Sequence, residues 1–243
     1  MPDPIEIDRL STGYGSSDVL EDITLSVRQG EILGLVGLDG AGKTTLLKSI
    51  LMLVVPRAGS VHLFGQAHDR PGSRTQLAYL PEKFQPPSHM SGHDFVRLSL
   101  AFHQRRVRRA VACGLAAELD LDPAALRQPI RRYSKGMAQK LGVLATLLTE
   151  RPLMILDEPM SGLEPKARAL LKQHLTAARA RGHTILMSSP VLADHDGLCD
   201  RVAVLHQGRL GYVGAPACLK ESQGAATLET AFLGAIQDPR PAA

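Results

Sequence analysis

The sequence predicts an α/β fold with a mainly parallel sheet, an antiparallel β region at its N-terminal end and a helical subdomain inserted in the middle. Three observations carry that prediction. Strand-sized apolar runs alternate with helical stretches, the pattern of a parallel sheet covered on both faces. One run, "GEILGLVG", is almost continuously apolar and leads through a glycine-rich loop into a helix. From Lys83 to about Lys140 the β pattern is absent and helical stretches replace it.

In order, strands are expected at "IEIDRL", "VLEDITLSV" and "GEILGLVG", then the helix "GKTTLLKSILML" and further strands at "GSVHLFG" and "LAYLPE". The helical stretch is broken at "QPPSHMSG", "LDLDPAAL" and "RQPIRRYSKG", where Pro, Gly and capping residues cluster. Strands return at "LMILDEP", "TILMSS" and "RVAVLHQGRLGYVG", the last turning back at Gln207 and Gly208. These limits imply a core of residues 1–82 and 141–215, a helical subdomain of residues 83–140 and a C-terminal helical tail of residues 216–243. The closing segment "QDPRPAA" is expected to fray.

A chain of 243 residues can bury a sizeable core, and 44% apolar with 21% charged residues is the balance of a globular domain, not a disordered one. The longest apolar runs fall short of the roughly 18 to 20 residues that a spanning helix needs. The start, "MPDPIEIDRL", lacks the basic flank and apolar segment of a secretory signal, so a cytoplasmic location is expected. Cys113, Cys199 and Cys218 are odd in number and widely spaced, which argues for reduced thiols. The net charge of +4 is uneven: residues 83–140 carry eleven Lys and Arg against four Asp and Glu. That excess, centred on "HQRRVRRA", reads equally as a solvated helix face or as a surface facing phosphates or anionic lipid.

Residues 37–45, "GLDGAGKTT", match the pattern G-x-x-x-x-G-K-[ST] between a buried strand and a helix, the context that motif requires. Such a loop wraps a phosphate chain in backbone N–H groups, and the helix after it adds the partial positive charge of its N-terminus. Gly37, Gly40 and Gly42 let the backbone turn and approach, with Leu38, Asp39, Ala41 and Thr45 completing the cradle. Lys43 is expected on the β- and γ-phosphates, and the Thr44 hydroxyl on Mg²⁺. The second motif, "LMILDEP", ends a buried strand in two carboxylates, a costly arrangement unless a cation or polar reactant receives them. Beside a phosphate loop, Asp157 is assigned to the metal and Glu158 to the attacking water as general base, in preference to a simple helix-capping pair.

About twenty residues before that strand stands "RRYSKGMAQKL". Together the three motifs resemble the nucleotide-binding subunit of an ABC transporter, a P-loop NTPase fold, with Tyr133-Ser134-Lys135-Gly136-Met137 in place of the family's usual Leu-Ser-Gly-Gly-Gln, a variant similar to its exporter branch. Ser134 at a helix N-cap and the N–H of Gly136 make an anion site. The resemblance implies that this site holds the γ-phosphate of ATP bound to an opposite subunit, so that MgATP is sandwiched in a head-to-tail homodimer or heterodimer. It further implies that Tyr14 stacks on adenine and that Glu82, where the family usually has Gln, touches the metal or water and couples to the membrane partner. "SGLEP", residues 161–165, has Glu164 where Asp is usual. The implied partners are transmembrane permease subunits on the cytoplasmic face of the membrane, with no nucleic acid. Soluble ABC proteins of translation or DNA repair fit less well, since those carry paired domains or long coiled-coil inserts.

The same resemblance exposes a departure. The family usually reads Ser-Ser-His after the strand "TILMSS", and that His contacts the γ-phosphate and orients the catalytic Glu; here Pro190 comes after Ser188 and Ser189. A pyrrolidine ring offers no proton, charge or N–H. Ser189 as N-cap with Pro190 as first helical residue is a favoured helix start, so the fold is expected to tolerate the change. His195 lies five residues on, about 7.5 Å along and some 140° around a helix, and is not expected to substitute. Positioned acid–base groups contribute on the order of 10² to 10⁴ in rate, so hydrolysis is expected to be slow while ATP binding persists. The alternative role is a degenerate ATP-binding partner of a more active subunit.

Overall fold

Among residues 2–237, which the computed structural model describes, ten strands form two sheets. Strands β1 (Ile5–Tyr14), β2 (Ser17–Val27), β4 (Ala58–Leu63) and β5 (Gln66–Ala67) make an antiparallel sheet in the order β2-β1-β4-β5. The second sheet runs β10-β9-β3-β8-β7-β6, from β3 (Ile32–Val36), β6 (Leu77–Leu80), β7 (Leu153–Asp157), β8 (Thr184–Ser189), β9 (Arg201–His206) and β10 (Arg209–Gly214). All its pairings are parallel except the β9–β10 hairpin. That hairpin turns at Gln207 and Gly208, both in the left-handed region, which matches the twist of the flanking strands.

The central strands have no exposed face because both sides of the sheet are covered. Along each, alternate residues enter two separate apolar clusters: Leu33, Ile155, Leu186 and Ala203 pack toward the antiparallel sheet, while Ile32, Met154, Ile185 and Val202 pack toward the helices. Helix α1 (Lys43–Ile50) lies in the first layer, where Leu46, Leu47 and Ile50 are buried. The other layer holds α2 (Gly92–Phe102), α3 (Arg109–Glu118), α4 (Lys135–Leu148), α5 (Pro165–Ala180), α6 (Pro216–Ser222) and α7 (Leu228–Gln237). The sheet thereby aligns the C-terminal ends of β3, β8 and β7, with Val36 opposite Ser189 and Asp157 opposite Ser188.

Several elements differ from their sequence reading. Strand β1 continues past "IEIDRL" to Tyr14, carried by register irregularities near Leu10 and Thr12. The expected boundary at residue 140 falls inside α4, a single uninterrupted helix. Ser189 is not a helix N-cap and Pro190 does not start an α-helix. Ser189 is the last residue of β8, paired with Val36, and the chain then makes a 3-10 turn at Leu192–Asp194. The Ser189 hydroxyl accepts from the Val191 N–H at 3.1 Å and donates to Asp194 at 2.9 Å, which satisfies the same groups a helix cap would. Of the "QDPRPAA" segment, Gln237 closes α7 and residues 238–243 lie outside the described residues.

Candidate functional site

The glycine-rich loop leaves β3 at Val36 and enters α1 at Lys43. Gly42, the N-cap of α1, has φ 106, and a Cβ there would stand 2.7 Å from Leu20, so both its backbone and its packing require glycine. Gly37 is held by closeness alone, since a Cβ would meet the Leu205 carbonyl at 2.4 Å. The Ala41 N–H donates to the Leu38 carbonyl and closes the loop on itself. Lys43 is buried, and its ammonium donates to the Gly37 and Leu38 carbonyls at 2.8 and 3.1 Å, with the exposed Asp39 carboxylate 3.9 Å away. A cavity of about 410 Å³ opens above this loop, lined by Val19, Asp39, Gly40, Gly42, Lys43, Thr44, Thr45, Glu82 and Glu158.

The two carboxylates of "LMILDEP" differ in surroundings. Asp157 is fully buried at the end of β7; its Oδ1 accepts from Ser188 at 2.6 Å and from Thr44 at 3.3 Å. Its Oδ2 is buried with no hydrogen-bond partner. Burial pushes the Asp157 carboxyl above its ordinary range, opposed by the Ser188 and Thr44 bonds. An orphaned buried carboxylate oxygen beside a hydroxyl and the Glu82 carboxylate is a set of hard oxygen donors, which fits Mg²⁺. Glu158 comes next in a left-handed conformation, φ 50, unusual for a residue with a side chain. Three contacts fix that peptide: its N–H donates to Ser188 at 3.0 Å, and the Gln139 carboxamide donates to the Glu158 and Pro159 carbonyls at 3.3 and 3.1 Å. Burial, then the nearby Glu82, raise the Glu158 pKa, while Lys43 opposes the rise. A raised carboxyl lining the cavity beside the glycine-rich loop suits a group that takes a proton from water.

Other candidates stand outside the cavity lining. Tyr14 ends β1 at the tip of the β1–β2 hairpin and is half exposed. Ser134 caps α4 by accepting from the Met137 N–H at 3.1 Å, and Gly136 faces the Gly162 carbonyl of "SGLEP", 2.9 Å from where a Cβ would stand. Pro190 is exposed at the end of β8, between the strand ends that carry the glycine-rich loop and Glu158. His195 is turned away into the core: fully buried, it donates from Nε2 to the Ser189 carbonyl at 3.2 Å and accepts at Nδ1 from the Cys199 thiol at 3.5 Å. Sequence reasoning missed Val19, Ser188 and Gln139. The paired hydroxyls ending "TILMSS" were a usable signal for Ser188, because buried polar side chains at a strand end need nearby partners; Val19 and Gln139 gave none.

The basic segment lies on a separate groove of about 1240 Å³ along α2 and α3, with Arg97, Arg105, Arg106, Arg109 and Arg127 in its walls and Val96, Leu100 and Ala112 among its apolar residues. Asp94 is the single carboxylate in its lining among the described residues. Also among the described residues, no helix is long and apolar enough to cross a membrane.

Residues 20–161 match the protein family described as ABC transporter. The chain is 37% identical over 79% of its length to an uncharacterized ABC transporter ATP-binding protein of Nostoc sp., and spans 58% of that longer protein. It is 34% identical over 99% of its length to the Nod factor export ATP-binding protein I of Burkholderia orbicola, covering 78% of it. A solved structure described as the ATP binding subunit of an ABC transporter superposes with a TM-score of 0.87 at 33% identity, over 95% of this chain and 98% of that one.

Proposed function

The chain belongs to the ABC transporter family, and from that premise we propose that it is the ATP-binding, ATP-hydrolysing subunit of a transporter, an exporter, driven by ATP-dependent dimer closure. The observation that carries the reading is the cavity itself: its lining joins the glycine-rich loop, the buried Lys43 and Glu158, and its Thr44 hydroxyl bonds the Asp157 carboxylate whose second oxygen is orphaned. The relative named for Nod factor export supports the direction of transport. In this reading Gly37, Leu38, Asp39, Gly40, Ala41, Gly42, Lys43, Thr44 and Thr45 enclose the phosphates and Tyr14 stacks on the base. Thr44, Asp157 and Glu82 hold Mg²⁺, which when bound neutralises phosphate charge.

Lys43 exchanges its two carbonyl partners for phosphate oxygens, and Glu158 accepts the proton of the attacking water, whose oxygen bonds to the γ-phosphorus as the bond from that phosphorus to the β–γ bridging oxygen breaks, releasing ADP and inorganic phosphate. Pro190 supplies no group to orient that water, so turnover is slow while binding is retained. Ser134 and Gly136, absent from the cavity lining of their own chain, serve the nucleotide of the opposing subunit. Permease subunits dock along the basic groove of residues 83–140, on the cytoplasmic face of the membrane.

The test is equilibrium binding of MgATP. We expect saturable binding to the wild type and a loss of at least about ten-fold in Lys43→Ala, the cost of removing a charge-assisted phosphate contact. Equal affinity in both would overturn the assignment of the site. A second reading, a degenerate partner in a heterodimer, is favoured by Pro190 alone and predicts binding with no measurable phosphate release by the isolated chain.

A further inference from the structure

The β1–β2 hairpin reaches past the glycine-rich loop. Val19 lies against Gly42 and lines the cavity above the glycine-rich loop, whereas Tyr14, paired with Ser17, stands at the tip. Ser17 lies two residue steps from Val19 along extended chain, roughly 7 Å along the strand toward the tip. The register of β1 against β2 is irregular over this stretch, shifting between Leu10 and Thr12 and again between Thr12 and Gly13. A two-stranded tip with broken register is weakly determined by its own pairing.

One side chain from outside grips it. The Arg57 guanidinium donates to the Gly15 carbonyl at 2.5 Å and the Ser17 carbonyl at 3.4 Å, and its other terminal nitrogen pairs with the Asp18 carboxylate. The Arg57 N–H is itself anchored to the Ser11 carbonyl at 2.8 Å. Among the described residues, every hydrogen bond from residues 14–18 to chain beyond β1 and β2 comes from Arg57. The planar fork touches both limbs of the turn, so it fixes the turn's orientation and not only its charge.

We propose that Arg57 is a positioning residue for the nucleobase: by clamping Gly15, Ser17 and Asp18 it sets where the Tyr14 ring stands over the cavity mouth. This rests on the reading of Tyr14 as the base-stacking group. Arg57 touches no phosphate-loop residue in the contacts above, so its effect is confined to ligands that carry a base.

The experiment compares Mg-bound ATP with Mg-bound inorganic tripolyphosphate as probes, by equilibrium titration of the full chain. Arg57→Met keeps the aliphatic stem and removes the donors. We expect it to weaken ATP about two- to ten-fold, the worth of an aromatic stacking contact, and to leave tripolyphosphate unchanged. Tyr14→Ala is expected to do the same, and the double variant to be no weaker than Tyr14→Ala alone, because both act through one ring. If Tyr14→Ala leaves ATP affinity intact, the stacking reading itself fails. If Tyr14→Ala weakens ATP but Arg57→Met does not, or weakens both probes alike, or adds fully to Tyr14→Ala, the positioning role of Arg57 is overturned while the stacking reading stands.

Discussion

Pro190 occupies one of the three strand ends that frame the cavity, and the surrounding contacts show what the substitution does and does not change. The Ser189 hydroxyl, the Val191 N–H, Asp194 and Arg168 form one hydrogen-bonded and ionic chain that holds the turn after β8. None of these contacts uses the Pro190 side chain, so Pro190→His is expected to fold with an unchanged turn. The exposed imidazole would then stand between the loop after β3 and Glu158, able to hydrogen-bond a phosphate oxygen or the attacking water. We expect kcat for ATP to rise by about ten-fold or more while the MgATP dissociation constant moves little, since an orienting group acts mainly in the transition state. Steady-state phosphate release measured beside nucleotide titration checks this; equal and brisk turnover in wild type and variant would show that the missing histidine is immaterial here.

The segment between β8 and β9 illustrates how far an element can be legible without its contents. The strands, the glycine-rich loop and the hairpin at Gln207 could be read from apolar runs and turn residues, because local chemistry fixes them. The structure brings Glu158 and, from "GLDGAGKTT", Asp39, Gly40, Gly42, Lys43, Thr44 and Thr45 to one cavity, and the sequence already named them from two motifs. The turn after Ser189 could not be read, because its conformation is set by tertiary partners: Arg168 of α5 on the Asp194 carboxylate, Lys172 of α5 donating to the Ala193 carbonyl, and Gly34 of β3. Gly34 leaves a gap that the His195 ring fills, standing 2.3 Å from where a Cβ would be. Burial, before the opposing effects of the Ser189 carbonyl and Asp194, lowers the His195 pKa to about 4. A histidine depressed on folding is neutral in the native state and takes up a proton on unfolding below about pH 6.5. Its stabilising contribution is therefore complete above that pH and is lost as pH falls toward 4, by on the order of 3 kcal/mol. His195→Met removes the titration, so the fall of unfolding free energy between pH 6.5 and 4 should be shallower than in wild type, measured by denaturant melts at several pH values.

At the scale of the molecule, the proposed function divides the nucleotide site into two parts, of which one cavity lining holds only the first. The phosphate cavity lies at the C-terminal ends of β3, β7 and β8, while Ser134 and Gly136, at the start of α4, are absent from its lining. In the proposed head-to-tail dimer, a two-fold axis puts the α4 start of each chain at the cavity of the other, so both sites form together. That geometry makes a prediction about mixtures. In a Pro190→His background, chosen for a measurable rate, Lys43→Ala would remove the proposed phosphate contact of its own cavity and Ser134→Arg would block the anion site proposed to serve the partner. Each variant alone should be inactive, because in either homodimer both composite sites are damaged. In the mixed dimer both lesions fall in one site, and the other keeps an intact Lys43 and an intact Ser134. With random pairing, half the dimers are mixed and each has one working site, so mixing equal amounts should restore about a quarter of the parent rate. No restoration, with both variants folded and dimerising on ATP, would mean that Ser134 does not act in trans within a homodimer. The partner supplying the second half-site would then be a different chain.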